Sequence, residues 1–285
     1  MTKGLTAYQI KWIAVFFMTL DHLAAYGFEI KLIRTYSHYL RIVGRIAAPL
    51  FLFIVVESTR HTRNQVKYIL RLYIAGVLTG LFQTITNFFL GNIVGTFLSG
   101  NILFTFFYTV LYIYLTNGIF DSAKKRNIKK LMTYIIVILF TIIPSILFTW
   151  FFNIIYPSNI NFKYIQLSQD LWNSFIPAVI HVEYSYIFII LGIVLYFAKT
   201  KYKQCLIYGI FCFICLMGSH TYYLATSDIL FFQSPQQPWM ILALPFMLLY
   251  NQERGKSHKY FFYIYYPVHR YIISILAILY LKLTT

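Results

Sequence analysis

Acidic residues are scarce here: Asp and Glu number 8 in 285 residues against 24 Lys and Arg, and all charged residues make up 11% of the chain. Soluble domains carry about 25% charged residues, so a chain this poor in charge and 59% hydrophobic cannot hide its apolar surface in one water-soluble core. Cysteine is scarce too. Cys205, Cys212 and Cys215 lie in or beside one apolar run, and Cys212-x-x-Cys215 lacks the second ligand pair of a zinc site. Helix packing is their reading, with no metal and no redox compartment implied. The formal charge of +16 comes without a basic face bearing base-stacking aromatics, which excludes a nucleic-acid binder. The first apolar run lacks a small-residue cleavage site and is read as a retained span. No second domain, low-complexity tail or internal repeat is visible, so residues 1–285 read as a single integral-membrane domain.

What is present is apolar length. Crossing a ~30 Å hydrocarbon core takes about 20 helical residues. Such runs fall near 8–28, 40–58, 67–90, 101–120, 131–153, 173–198, 204–224, 229–250 and 260–281. The expected fold is therefore all-α, a polytopic transmembrane helical bundle of about nine spans. The eighth is expected to be short or broken, because Gln233-Ser-Pro-Gln-Gln-Pro238 cuts it and Pro245 follows. The Asn- and Ser-rich loop at 154–172 is expected to carry a short surface helix near Tyr164–Asp170.

Lys and Arg collect in every second loop: Arg60 to Arg71, Lys124 to Lys130, Lys199 to Lys203, and Arg254 to Lys259. The positive-inside rule places these loops and the N-terminus in the cytoplasm and the C-terminus outside, in a multi-pass cell-membrane protein. The opposite loops hold a thin, mixed population that includes Glu29, Lys31, Arg34, Lys163, Asp170 and Asp228.

Against this background Asp21-His22 and Gly44-Arg45 stand out, since ionisable groups inside apolar runs are expensive and usually functional. At ~1.5 Å of rise per residue, His22 and Arg45 both lie about 8–10 Å below the outer surface. Asp21 and His22 point about 100° apart, so one faces a partner helix and the other a cavity. Asp21 pairing with Arg45 would leave His22 available; the plainer alternative is an Asp–Arg pair that only locks two helices together. Gln83, Asn87, Asn101, His181 and Glu183 reach a similar depth and outline a polar chamber, with His269 nearer the membrane middle. Packing remains the plainer role for His181 and Glu183. Arg60, Arg63, Lys67 and Arg71 either obey the positive-inside rule and touch anionic lipid, or hold the phosphates of a nucleotide-bearing donor. Arg254 and Lys256 add a second basic site on the same side.

The motifs carry a resemblance. Leu5-Thr-x-x-Gln-x-Lys with Asp21-His22, then Arg41-Ile-Val-Gly-Arg-Ile-Ala-Ala-Pro-Leu-Phe51, Glu57, His61-Thr-Arg-Asn64 and Lys67-Tyr-x-x-Arg-Leu72, are similar to the TraX family of membrane acetyltransferases. So are Asn101-Ile-Leu-Phe-Thr105, Leu248-Leu-Tyr-Asn-x-x-Arg-Gly255 and Lys259-Tyr-Phe-Phe-Tyr-x-x-Tyr-Pro-x-His269. The family resembles a wider group of acyl-CoA-dependent transmembrane acyltransferases and is associated with N-acetylation of pilin subunits. The resemblance implies His22, Asp21, Arg45 and His269 as active-site residues. Ala48 and Ser58 depart from the aromatic and Gly common in the family, which bears on acyl chain and acceptor identity.

Together these readings give an acyltransferase with acetyl-CoA or another acyl-CoA as donor and no metal. CoA phosphates rest on Arg60, Arg63, Lys67, Arg71, Arg254 and Lys256. His22 or His269 is the general base, Arg45 or Asn101 stabilises the oxyanion, and Asn101, Gln83, His181 and Glu183 line the acceptor side. The partners are acyl-CoA, membrane lipid, and a membrane-associated or exported peptide, protein or glycan. The rival reading is a proton-coupled transporter that uses the intramembrane Asp, His and Arg as a relay.

Overall fold

The computed structural model describes residues 4–28, 30–94, 98, 100–152, 162–221, 236–256 and 258–284. Among these residues the chain is helical, and its only bridge pairing recorded outside helices joins Leu5 to Tyr250. The helices are α1 (Ala7–Tyr26), α2 (Lys31–Gly44), α3 (Ala47–His61), α4 (Gln65–Val94), α5 (Ile102–Lys124), α6 (Ile128–Trp150), α7 (Phe162–Phe175), α8 (Ser185–Phe197) and α9 (Lys201–Thr221). A 3-10 segment (Gln237–Ala243), α10 (Leu244–Leu248) and α11 (Lys259–Thr284) complete them.

Among the described residues, five stretches are long and apolar enough to cross a membrane: Lys31–His61, Gln65–Phe89, Ile102–Lys124, Ile128–Trp150 and Tyr260–Thr284. They overlap five of the expected runs, but the first extends the run at 40–58 back over residues 31–39, expected as loop and helical in α2. α1 and α9 occupy the first and seventh, and α7 covers the surface helix expected at Tyr164–Asp170. The sixth run differs. Residues 176–184 are not helical, and only the 13-residue α8 follows them, because Pro177 stops α7 and Tyr184 and Ser185 both sit at φ 63°, outside the helical region. Of the eighth run, 229–235 lie outside the described residues; the rest forms the 3-10 segment and the five-residue α10, too short to cross.

The chain divides into two compact units, 1–57 with 194–285 and 58–193. In the first, α1 starts on a capping box: the Thr6 hydroxyl accepts from the Gln9 backbone N–H while the Gln9 side chain accepts from the Thr6 N–H. The segment before α1 is stitched to the loop before α11. Leu5 donates to the Leu249 carbonyl at 2.7 Å, Asn251 returns a bond to Leu5 at 2.9 Å, and Ala7 and Tyr8 donate to Glu253 and Arg254. Lys201 Nζ closes the end of α10 by donating to the Leu248 and Tyr250 carbonyls. α1 packs on α2 and on α11, burying Ile10, Ala14 and Met18 at helical spacing ahead of Asp21 and His22.

The second unit packs α4 against α5 and α7, and α5 against α6. Phe104, Tyr108, Val179, Val182 and Ile189 form its buried apolar cluster, so the non-helical 176–184 segment is held by side chains on both sides of it. Its backbone is also tethered: Tyr108 donates to the Pro177 carbonyl and Thr105 to that of Glu183.

Candidate functional site

In the first unit Asp21 and His22 serve different helices. Asp21 faces α2, where Arg41 Nη1 donates to Oδ2 at 2.9 Å and Arg45 Nη2 approaches Oδ1 at 3.5 Å. Arg45 lies just past the end of α2, and Gly44 makes its approach possible: a Cβ at Gly44 would stand 2.4 Å from the Asp21 Cβ. Asp21, His22, Arg45 and His269 are each below 9% exposed, so the carboxylate's charge is balanced by guanidiniums and not by water. Arg41 makes the shorter bond, although Arg45 is the partner that depth in the sequence suggests.

His22 faces α11. Its Nδ1 lies 2.6 Å from His269 Nε2, with the rings stacked at 16° and 4.8 Å between centroids. His269 therefore sits level with His22, not beneath it. A second bond fixes the protons. His269 Nδ1 is 2.6 Å from the Tyr265 carbonyl, which can only accept, so Nδ1 carries hydrogen and the Nε2 of neutral His269 accepts. His22 Nδ1 is then the donor, and its Nε2 keeps a lone pair. His269 orients His22 as a carboxylate would, leaving Asp21 as the charge-balancing group. Tyr265 stacks on His269 at 4.7 Å and 11°, and its hydroxyl meets Thr19 Oγ1 at 2.7 Å, which holds this end of the relay against α1.

Arg270 follows His269 at 3% exposed, and its guanidinium donates to the hydroxyls of Tyr26 at 2.7 Å and Tyr266 at 3.1 Å. Sequence reasoning passed over Arg41 and Arg270. Their signal was the one that selected Arg45, a guanidinium beside or inside an apolar run.

The second unit gathers another group. Gln83, Asn101 and His181 line one cavity of about 260 Å³ together with Asp170, Asn173 and Ser174. Asn101 Nδ2 donates to the Gly76 carbonyl at 2.9 Å, so this residue at the start of α5 bridges to α4 without capping its own helix. Asp170 accepts from Asn87 Nδ2 at 2.9 Å, and Asn87 is itself fixed by exchanging bonds with the Leu98 backbone. Glu183 stands behind the cavity wall: Gly100, at φ 76°, leaves room for its carboxyl, which a Cβ there would approach to 3.0 Å. Burial pushes the Asp170 carboxyl above its ordinary value, with Asn87 and Gln166 partly offsetting this, and burial lowers His181. Asp170 had read only as a loop acid.

The basic residues divide between the units. Arg60 ends α3, and Arg63, Lys67 and Arg71 are exposed at the start of α4, where the Arg71 guanidinium lies 5.8 Å from the Tyr68 ring centroid. Arg254 and Lys256 are exposed in the first unit's loop before α11.

Long apolar helices enclosing a histidine pair and a carboxylate between two guanidiniums define a helical membrane protein with a polar interior site. The chain belongs to the TraX family: the model of the TraX protein matches residues 6–174 and 122–277. It is 39% identical over 79 residues to the probable fimbrial assembly protein FimC, serogroup H1, of Dichelobacter nodosus, a match covering 28% of this chain and about a third (32%) of that relative. No solved structure matches it.

Proposed function

We propose that this protein is an acyl-CoA-dependent membrane acyltransferase that moves an acetyl group to an amine or hydroxyl of a membrane or exported acceptor, with N-acetylation favoured. The supporting observation is the buried relay from the Tyr265 carbonyl through His269 to His22, which leaves one unprotonated nitrogen, His22 Nε2, inside an apolar protein. A lone-pair imidazole oriented by a second group is what general-base acyl transfer needs. His22 Nε2 takes a proton from the acceptor as its nitrogen or oxygen attacks the thioester carbonyl. The bond to the acceptor forms, the C–S bond breaks, and the proton passes to the departing CoA thiolate. Arg45 stabilises the developing oxyanion, and Asp21 balances the local positive charge. CoA phosphates rest on the half-buried Arg60 and the exposed Arg63, Lys67 and Arg71, assisted by Arg254 and Lys256 on their own loop. Asn101, Gln83 and His181 serve the acceptor, with Glu183 behind them.

Equilibrium binding of labelled acetyl-CoA to the purified full chain tests the donor. Saturable binding that weakens about tenfold or more in an Arg60→Gln/Arg63→Gln double variant is expected, the order of two lost charge-assisted phosphate contacts. Absence of saturable binding, or binding indifferent to both arginines, contradicts the donor assignment.

A further inference from the structure

α2 has two unlike faces. At about 100° of turn per residue, Lys31, Arg34, His38, Arg41 and, just past the helix end, Arg45 fall within about 80° of one another. The helix sequence Lys31–Gly44 holds no acid. On the opposite side Leu32, Tyr36 and Tyr39 are 69%, 54% and 67% exposed. Burial along the cationic face is graded: Lys31, Arg34 and His38 are exposed, the Arg41 side chain is 30% exposed, and Arg45 is buried against Asp21. Arg34 is held at the outer part of this face, its Nε donating to the Phe28 carbonyl at 3.2 Å and its guanidinium 5.0 Å from the Phe28 ring centroid. Arg34 stands about 16 Å farther along the helix than Arg45, so the depth that the sequence suggests for Arg45 puts Arg34 and His38 at the level of lipid headgroups. A helix with Lys and Arg on one side and exposed Leu and Tyr on the other suits a lipid interface, where the apolar side enters the acyl boundary and the cations meet phosphates.

We propose that α2 is a lipid-binding helix: its cationic face from Lys31 to Arg41 takes the phosphates of anionic phospholipids, while Leu32, Tyr36 and Tyr39 enter the acyl boundary. The planar fork of Arg fits phosphate oxygens. A zwitterionic lipid supplies the same chains and phosphate but carries its own ammonium, so a headgroup with net negative charge is preferred. An acidic peptide would satisfy the cations and leave three large apolar side chains uncovered. The two faces of α2 carry this binding by themselves. The same helix brings Arg41 and Arg45 to Asp21, next to His22 in the chain, so a lipid that fixes α2 also fixes that pair; that it thereby supports acyl transfer rests on the transferase reading above.

The test is thermal unfolding of the purified full chain in bilayer discs of phosphatidylcholine, alone or mixed with phosphatidylglycerol, with hydrogen exchange of residues 31–44 as the local readout. A midpoint that rises with the phosphatidylglycerol fraction and slower exchange across 31–44 are expected. A Lys31→Gln/Arg34→Gln variant should lose most of the slowing, since each cation near the surface contributes about a fivefold preference for anionic lipid. A Lys124→Gln/Lys125→Gln variant, altered in a different basic loop, should keep it. Should the α2 variant fail to fold, raised salt acting on the wild type is expected to erase the difference between the two bilayers. Equal exchange in both bilayers, slowing that persists in the α2 variant or in high salt, or the same slowing from soluble glycerol phosphate added to phosphatidylcholine discs overturns the proposal. Slowing by phosphatidylglycerol in a chain that shows no acetyl-CoA turnover retains the lipid site and removes the transferase reading instead.

Discussion

The histidine pair assigns unequal roles to its members. His22 Nε2 is the nitrogen with a lone pair, whereas His269 is bonded on both sides and, in the proposed mechanism, acts through His22. His269→Gln is predicted to lower kcat about 10- to 100-fold with little change in the acetyl-CoA KM, less than the 10²–10⁴ that general-base catalysis contributes. A kcat equal to wild type, measured at saturating donor, would show that the relay does not orient the base. Asp21 carries a different cost. Asp21→Asn leaves Arg45, 7% exposed, facing a neutral amide, and a buried pair broken on one side costs about 3 kcal/mol. Denaturant unfolding in detergent reads that loss; an unchanged midpoint would mean that Arg41 and Arg45 find other partners. The sequence exposed Asp21, His22 and Arg45 because charge inside an apolar run is conspicuous. It could not reveal which guanidinium makes the shorter bond, since Arg41 and Arg45 are one helical turn apart and both reach the carboxylate.

Between helices, close approach decides what can change. Gly44 lets the end of α2 lie on Asp21, and Gly44→Ala would place a methyl 2.8 Å from the Asp21 Cα, backbone that cannot move aside. A destabilisation of about 1–3 kcal/mol with weakened Asp21–Arg45 pairing is expected, read by the same unfolding transition. In the second unit, burial raises the Asp170 carboxyl above its ordinary 3.8. The folded chain then keeps a proton that the unfolded chain has released, so stability falls as pH rises from 3.8 through the raised folded value. Asp170→Asn should flatten that decline, and a thermal-stability series across acidic pH in both proteins measures it. Apolar length located α1, α3 to α6, α9 and α11 in the sequence, but not residues 31–39 of α2, whose Lys31 and Arg34 read as loop charges. It misjudged 173–198, where composition looked like one span but Pro177 and two positive-φ residues break the helix. Hydropathy sums over a window and is blind to backbone direction. The clustering of Gln83, Asn101 and His181 with Asp170 depended on that break, because the turn at 177–182 forms part of the cavity wall.

At the scale of the molecule, the chain is a TraX-family membrane protein whose two units each hold a distinct polar centre: a hydrogen-bonded histidine pair in one and a polar cavity in the other. Alternation of basic loops predicts a cytoplasmic N-terminus. A cysteine placed at Arg63 should be shielded from a membrane-impermeant maleimide in intact cells while one at Lys163 is labelled, and the reverse pattern would invert the topology. The central claim is that His22 is the base of an acyl transfer. It is tested most directly by incubating the purified protein with radiolabelled acetyl-CoA and membranes from cells lacking it, then measuring label transferred to acceptor. Wild type should transfer label, and His22→Ala should bind acetyl-CoA normally yet transfer it about 10²–10⁴ times more slowly; transfer by His22→Ala at the wild-type rate would contradict the account.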